Sequence, residues 1–447
     1  MTRPSPAERR HIGEKARADL PLEAHASWKP ASDRPDPIAL LEGQAASRIP
    51  SLVPVRYGRM AVSPFTFLRG AALPMAADLA TTSSTGIEVQ LCGDAHLSNF
   101  GLFASPERDL VFDINDFDET VRGPFEYDIK RLAASLIVAG RSRGFTAHDN
   151  SHTVHVAVRT YRERMAEYAG MRAIDVFYAR VDAEGILAYV DKRARPFLQS
   201  TVKAASHHDA LHELPKLTAI GPDGQRRIVD RPPVIRHIDV TLPVEQATLD
   251  SYLETLQEDR RLLIQRYHLV DAALKVVGVG SVGLGAYACL LDGGGGDDPL
   301  FLQVKQAEPS VYERFLGPSP IAEHGQRVVI GQRCLQAQSD VLLGWTKGWH
   351  GRDLYVRQLQ DQKGGAVVEA MTVADLQAWA TLCGWALARG HARSGPPATI
   401  AGYLGSGTEF DHAIGDFAVA YADQTERDHA AFTAAIRSGR IKADTGV

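Results

Sequence analysis

Apolar positions along the chain recur with two different periods, and the switches between them suggest its organisation. IKRLAASLIVAGRSRG (129–144), SHTVHVAVRTYRERMAEYAGM (151–171), TVADLQAWATLCGWALARGHARS (372–394) and 411–437 repeat at helical spacing. The same spacing predicts one long amphipathic helix over 244–270 and another over about 320–337. Alternating or short continuous apolar runs predict strands instead. TGIEVQLCGDAHLSNFGLF (85–103) reads as strand, loop, strand, and 109–117 as a further strand. KVVGVGSVGLGAYACLL (275–291), LFLQVKQA (300–307) and DLYVRQL (353–359) read the same way, with DGGGGDDP (292–299) as a hairpin turn. Residues 1–50, polar and rich in Pro and charge, predict a loosely ordered arm with one short helix near 37–47. Segment 172–235 mixes polar runs with short helical patterns and ends in a linker-like Asp230-Arg231-Pro232-Pro233. The expected class is α+β. The expected division is an arm (1–50), a helical part with loop-bearing strands (51–235), a glycine-rich β part (236–365) and C-terminal helices (366–447).

Composition narrows the function classes. Of 447 residues, 45% are apolar and 23% charged, as in soluble globular proteins, which argues against disorder, collagen and simple coiled coil. Lys+Arg is 49 and Asp+Glu 54, a net charge of −5 that disfavours bulk binding to nucleic acid or an anionic membrane. The four cysteines show no C-x-x-C spacing, so neither a disulfide scaffold nor a Cys-rich zinc site is expected, and a reducing cytoplasm fits. The N-terminal residues lack the apolar core of a secretory signal. No window approaches the roughly 18–20 apolar residues of a membrane span. A cytoplasmic protein without a membrane or nucleic-acid partner is expected, and its oligomeric state is left open.

Three groups of residues carry chemistry. In Gly93-Asp94-Ala95-His96-Leu97-Ser98-Asn99, an Asp and an Asn five residues apart share one loop. Phosphoryl transfer uses that pairing: a carboxylate for the attacking hydroxyl and a neutral oxygen donor for a metal. The plainer reading is an Asx-rich turn. Phe112-Asp113-Ile114-Asn115-Asp116-Phe117-Asp118-Glu119 packs four acids into seven residues, which repel unless cations sit among them. Mg²⁺ with one or two carboxylates, phosphate oxygens and water would suit it, whereas Asp118 and Glu119 individually read as a solvated turn. Asp128, just before a helix, could be an N-cap. The third group is Gly278-Val279-Gly280-Ser281-Val282-Gly283, followed by a strand pattern and not by the helix a dinucleotide fingerprint needs. Strand, glycines, strand and then Lys305 on the next strand is the order of a kinase phosphate-binding lobe.

G-D-A-H-L-S-N, then I-N-D-F-D-E, then G-P-F-E-Y-D resembles the catalytic segment of the aminoglycoside-phosphotransferase and choline-kinase branch of the protein-kinase-like superfamily. That resemblance implies Asp94 as catalytic Asp, with His96 beside it, and Asn99 and Asp116 as metal ligands. Asp113 competes with Asp116, and the onward spacing to Asp128 favours Asp116. It implies a two-lobed fold, ATP and Mg²⁺ as cofactors, and a small-molecule acceptor. Gly278, Gly280, Ser281 and Gly283 would cover the phosphates. Lys305 would contact them, steadied by Glu323 or, failing that, Glu313. Cys92 stands where that family has His. The motif order, catalytic loop before glycine loop, implies a circularly permuted kinase-like fold, with a hinge at 360–365. Over roughly 40–440 the chain is also similar to a bacterial domain of unknown function numbered 2252, through motifs such as LCGDAHLSNFG, FDINDFDETVRGPFEYDIKRLAAS, LQVKQA and YVRQLQDQKG.

Arg56, Arg59, Arg69, Arg327, Arg333 and Arg357 are candidate phosphate or carboxylate partners, although ion pairing is the plainer reading for each. Helix capping suffices to explain His391 and Arg393. Alternatives to phosphotransfer are AMP transfer by the same parts, metal-dependent phosphoester hydrolysis, and a nucleotide-binding pseudokinase. G-D-A-H also resembles the G-D-x-H of dinuclear metallophosphatases, but their N-H-[DE] and H-x-H ligand sets are missing.

Overall fold

The structure, a computed structural model, describes residues 4–446 apart from 183–184, 187–189, 208–209, 222–223, 238–241, 295–297, 349–350, 360–361 and 366. It is a mixed α+β molecule. Its largest described sheet has six strands, in the order Gly344–Lys347, Asp353–Gln358, Pro299–Gln306, Ala286–Asp292, His268–Lys275 and Ile235–Arg236, all antiparallel. Register places Lys305 opposite Tyr355 and Gln303 opposite Arg357. Directly paired residues point to the same face, so these four side chains project together.

Helices make up the rest of the core. Glu126–Ser142, Ala147–Gly170, Val373–Ser394 and Glu409–Arg437 pack around one another. Their apolar faces share a large buried cluster that includes Leu132, Leu136, Val158, Trp379 and Phe417. Against this block lie two small sheets. Glu88–Leu91 pairs with Val121–Pro124, and Phe100–Ala104 pairs with Leu110–Ile114 on one side and Gly364–Gly365 on the other.

Two expectations need correcting. The arm is ordered. Pro6–Asp19 is a helix opened by a reciprocal Ser5–Glu8 capping box. It crosses Pro397–Leu404 so closely that a Cβ on Gly13 would lie 1.9 Å from the Thr399 carbonyl. Arg34 then ties the arm to Asp78 and Asp428, each at 2.7 Å. The polar composition concealed this because the apolar residues it buries, Leu22, Trp28, Ile38 and Leu41, are scattered among polar ones, and the Gly13 contact and Arg34 ion pairs leave no apolar pattern. The second correction is the 244–270 helix, which is two helices, Leu242–Leu253 and Glu258–Ile264, followed by the strand His268–Lys275. Pairing with Ala286–Asp292 draws HLVDAALK into the sheet, tertiary context overriding local pattern. Part of the expected 292–299 turn and the first two residues of the expected 360–365 hinge lie outside the described residues. Among the described residues no helix is long and apolar enough to cross a membrane.

Candidate functional site

The loop after Glu88–Leu91 begins with Gly93 at φ +83°, where a Cβ would sit 2.1 Å from the Glu119 carbonyl. Only glycine lets the two acidic segments approach this closely. Asp128, in the first turn of Glu126–Ser142, accepts the Cys92 and Gly93 N–H groups at 2.8 and 3.0 Å. His391 lies 3.2 Å from the same carboxylate, and the Tyr161 hydroxyl 2.9 Å from the other imidazole nitrogen. Asp128 is therefore a loop anchor and not an N-cap. His391 is fully buried in that chain of contacts, so helix capping does not account for it.

Asp94 is set by this anchored loop. One carboxylate oxygen takes Arg131 at 2.7–2.8 Å, and the other lies 3.7 Å from His96 Nε2. Burial pushes the Asp94 carboxyl up to about 6 against the pull of Arg131. Burial, with Arg69 and Arg131 nearby, holds His96 well below its usual value, so its ring is neutral. The Asn99 amide donates to the Asp94 carbonyl at 2.8 Å, and among the described residues no donor occupies its side-chain oxygen.

The second acidic segment separates by role. Asp113 is buried in the core. Arg389 reaches both of its oxygens at 2.7 Å, and the Ala337 N–H donates to it at 3.0 Å. It does not line the pocket, so its place as a metal candidate is corrected: a buried arginine consumes its lone pairs. Asp116 does line the pocket, with its side chain 33% exposed and Lys305 4.0 Å away. Asp118 accepts Lys305 and the Tyr355 hydroxyl, both at 2.6 Å. Lys305 is buried, whereas the Asp118 side chain keeps 20% of its surface exposed toward the pocket. Burial raises the Asp118 carboxyl, but Lys305 outweighs it and the net shift is down. Glu119 accepts the Val311 N–H at 2.7 Å, and burial pushes its carboxyl up to about 7. A solvated turn thus describes neither Asp118 nor Glu119. Arginines hold the backbone of this segment: Arg357 donates to the Asn115 carbonyl at 2.9 Å, and Arg327 to the Asp118 carbonyl at 2.8 Å.

Glu323 does not meet Lys305. It precedes the helix His324–Leu335 and lies 3.9 Å from Lys347. Glu313 faces Arg327 at 3.5 Å. Asp118 does what was expected of them, because the sheet register turns Lys305 and Tyr355 toward it.

One pocket gathers Asp94, His96, Asn99, Asp116, Asp118 and Glu119 with Gly278, Val279, Gly280 and Ser281. Gln44, Arg48, Arg56 and Arg69 complete much of its wall. Gly283, at φ +89°, is outside the lining and packs on the Arg48 side chain. The glycine loop is held by its carbonyls: Arg59 bonds that of Gly278 at 2.7 Å, the Ile49 N–H that of Gly283 at 2.8 Å, and Arg48 that of Val282. Sequence reasoning overlooked Arg48 and Gln44, which carry no motif, and undervalued Asp118, although its alternation with Asp116 was a usable signal. A separate, apolar cavity lies against the other face of the six-stranded sheet, lined by Leu249, Tyr252, Leu291, Leu302 and Val356 among others.

A family described as an uncharacterized protein conserved in bacteria (DUF2252) matches residues 48–435, and the chain belongs to that family. No curated protein and no solved structure matches it.

Proposed function

We propose that the pocket carries out ATP- and Mg²⁺-dependent phosphoryl transfer to a hydroxyl of a small molecule, on a circularly permuted, two-lobed kinase-like fold. The observation that carries this reading is the meeting of two remote segments. Asp94, Asn99 and Asp116 share a pocket with Gly278–Ser281, and Lys305 reaches Asp118 across 187 residues of sequence. Kinase chemistry needs those parts together: an acceptor base, a metal pair, a glycine loop and a lysine.

The donor set fits Mg²⁺. Among the described residues no three His, Cys, Asp or Glu side chains form a closed ligand group. A cation held by Asp116 and the Asn99 oxygen would therefore complete its shell with phosphate oxygens and water, as Mg²⁺ does. When bound, the ion supplies neutralisation of phosphate charge. The chain's own residues do the rest. Arg131 fixes one Asp94 oxygen and leaves the other to orient the acceptor hydroxyl and take its proton. A carboxyl near 6 is ionised at neutral pH yet basic enough to serve. Lys305 is held by Asp118, which also accepts the Tyr355 hydroxyl, and so keeps a positive charge behind the acidic wall that Asp116 and Asp118 give the pocket.

The test is transfer of label from γ-labelled ATP into a bacterial metabolite pool, with Mg²⁺ present or chelated. Asp94→Asn is expected to lower turnover by about 10²–10⁴-fold with nucleotide affinity nearly unchanged. Transfer that survives both Asp94→Asn and chelation defeats the reading.

A further inference from the structure

Arginines buried in this protein are, with few exceptions, paired. Arg131, Arg327 and Arg389 are fully buried, and each has a carboxylate: Asp94 at 2.7 Å, Glu313 at 3.5 Å and Asp113 at 2.7 Å. Arg34 and Arg162, less deeply placed, hold Asp78 with Asp428, and Asp411. That is the ordinary condition, because an unpaired buried charge costs several kcal/mol.

The pocket departs from it. Arg56 is 1% exposed and Arg48 6%. Together with Arg69 they line the wall that also carries Gly278–Ser281. Among the described residues, no carboxylate lies within ion-pair distance of any of the three. Arg56 gives one nitrogen to the Gln44 side chain and the Gly70 carbonyl, at 3.0 and 2.7 Å, while its Nε and Nη1 find no partner. The Nε atoms of Arg48 and Arg69 are likewise buried and unpartnered. Burial depresses all three guanidinium groups, and the Arg48 charge adds to the pressure on Arg56. Guanidinium groups stay protonated regardless, so three positive charges line one cavity, and four of their donor nitrogens are buried without a partner.

We propose that Arg48, Arg56 and Arg69 form a seat for a phosphate group. Such a group supplies a contacting counter-charge for the three arginines and up to three strong acceptor oxygens. The seat extends the phosphotransfer reading and rests on it for the role of the bound group, though not for its chemistry. Two sources share that chemistry, the terminal phosphate of a nucleotide donor and a phosphate already carried by the acceptor.

Thermal melting and calorimetry on the full chain, with inorganic phosphate and with pyrophosphate as probes and sodium chloride at matched ionic strength as control, decide it. Wild type is expected to gain thermal stability with either probe and none with chloride. Arg56→Met and Arg69→Gln are each expected to weaken pyrophosphate by about tenfold or more. The apo proteins should melt no lower than wild type, because an uncompensated charge has been removed. Arg34→Met, which breaks a paired arginine, should melt lower and keep the phosphate response. Competition by ATP for the pyrophosphate site assigns the seat to the donor, and joint binding with ATP assigns it to the acceptor. Wild type indifferent to both probes, or Arg56→Met and Arg69→Gln that bind pyrophosphate as wild type does, overturns the seat. Label transfer in that case would leave the phosphotransfer reading standing, whereas an arginine-dependent seat without transfer would leave only the seat.

Discussion

Asp113 and Asp116 are three residues apart in one acidic run, and the structure gives them opposite consequences on substitution. Asp113 is 1% exposed and Arg389 not at all, and both Asp113 oxygens are engaged. Asp113→Ala leaves a guanidinium uncompensated in the core, at a cost of roughly 3–5 kcal/mol. It also strips the Ala337 N–H of its acceptor, which adds about 1–3 kcal/mol unless water enters. Asp116, one-third exposed and 4.0 Å from Lys305, should cost below about 1 kcal/mol when changed to Ala. The functional ranking is the reverse. Asp116→Ala should abolish the Mg²⁺ dependence of ATP binding, while Asp113→Ala, where it still folds, should keep it. Urea unfolding of both variants, with calorimetry of ATP in the presence and absence of Mg²⁺, reads both axes. A double variant, Asp113→Ala with Arg389→Met, should recover much of the lost stability, since the stranded charge is gone. An Asp113→Ala protein that unfolds like wild type yet loses the Mg²⁺ dependence, with Asp116→Ala retaining it, would refute the assignment.

Three further outcomes follow from the geometry. Lys305→Met removes the ammonium from Asp118, leaving Tyr355 as that carboxylate's hydrogen-bond partner on the sheet, and should lower stability by about 3 kcal/mol in denaturant melts. Gly93→Ala forces a Cβ onto the Glu119 carbonyl at a residue with φ +83°, so a loss above about 2 kcal/mol is expected, with turnover falling as Asp94 is displaced. His25, buried against the Tyr403 hydroxyl at 2.7 Å, is held by burial, with Lys130 adding to it, down at about 3. The unfolded chain takes up that proton near its ordinary value of about 6.5, so stability falls as pH drops from there toward 3, by at most about 1.4 kcal/mol per pH unit. His25→Gln should flatten that part of the stability–pH curve, and an unchanged slope would count against a neutral buried ring.

Helices with a steady 3.6-residue period were legible: Val373–Ser394 and Glu409–Arg437 match the pattern to within two residues at either end. The His268–Lys275 strand was not, because its pattern continued a helical one and its hydrogen-bond partner lies beyond the glycine loop. In the site, spacing was enough to single out Asp94, Asn99 and Asp116, which share one pocket. Pairing across the fold was not. Nothing local distinguishes Asp113, neutralised by a residue 276 positions away, from Asp116, or marks Asp118 as the partner of Lys305 in place of Glu323. Arg48 was hidden for the same reason, and Arg56, a candidate by residue type, could not be told from the paired arginines, since what sets both apart is that no described carboxylate lies within ion-pair distance.

The long reach of these contacts bears on synthesis. The loop holding Asp94 leaves the ribosome early, yet the lysine that meets Asp118 follows 187 residues later and the histidine that meets Asp128 follows after 263. At about 5–20 residues per second, that interval is on the order of tens of seconds. Throughout it, Asp113 and Asp118 lack the arginine and lysine that neutralise them, and Asp128 has the Cys92 and Gly93 N–H groups but not yet His391. Helix Val53–Ala61, which carries Arg56, is finally braced by Asp444, whose N–H bonds the Pro54 carbonyl at 2.9 Å. A chain cut ahead of Asp444 lacks that brace on the helix that carries Arg56.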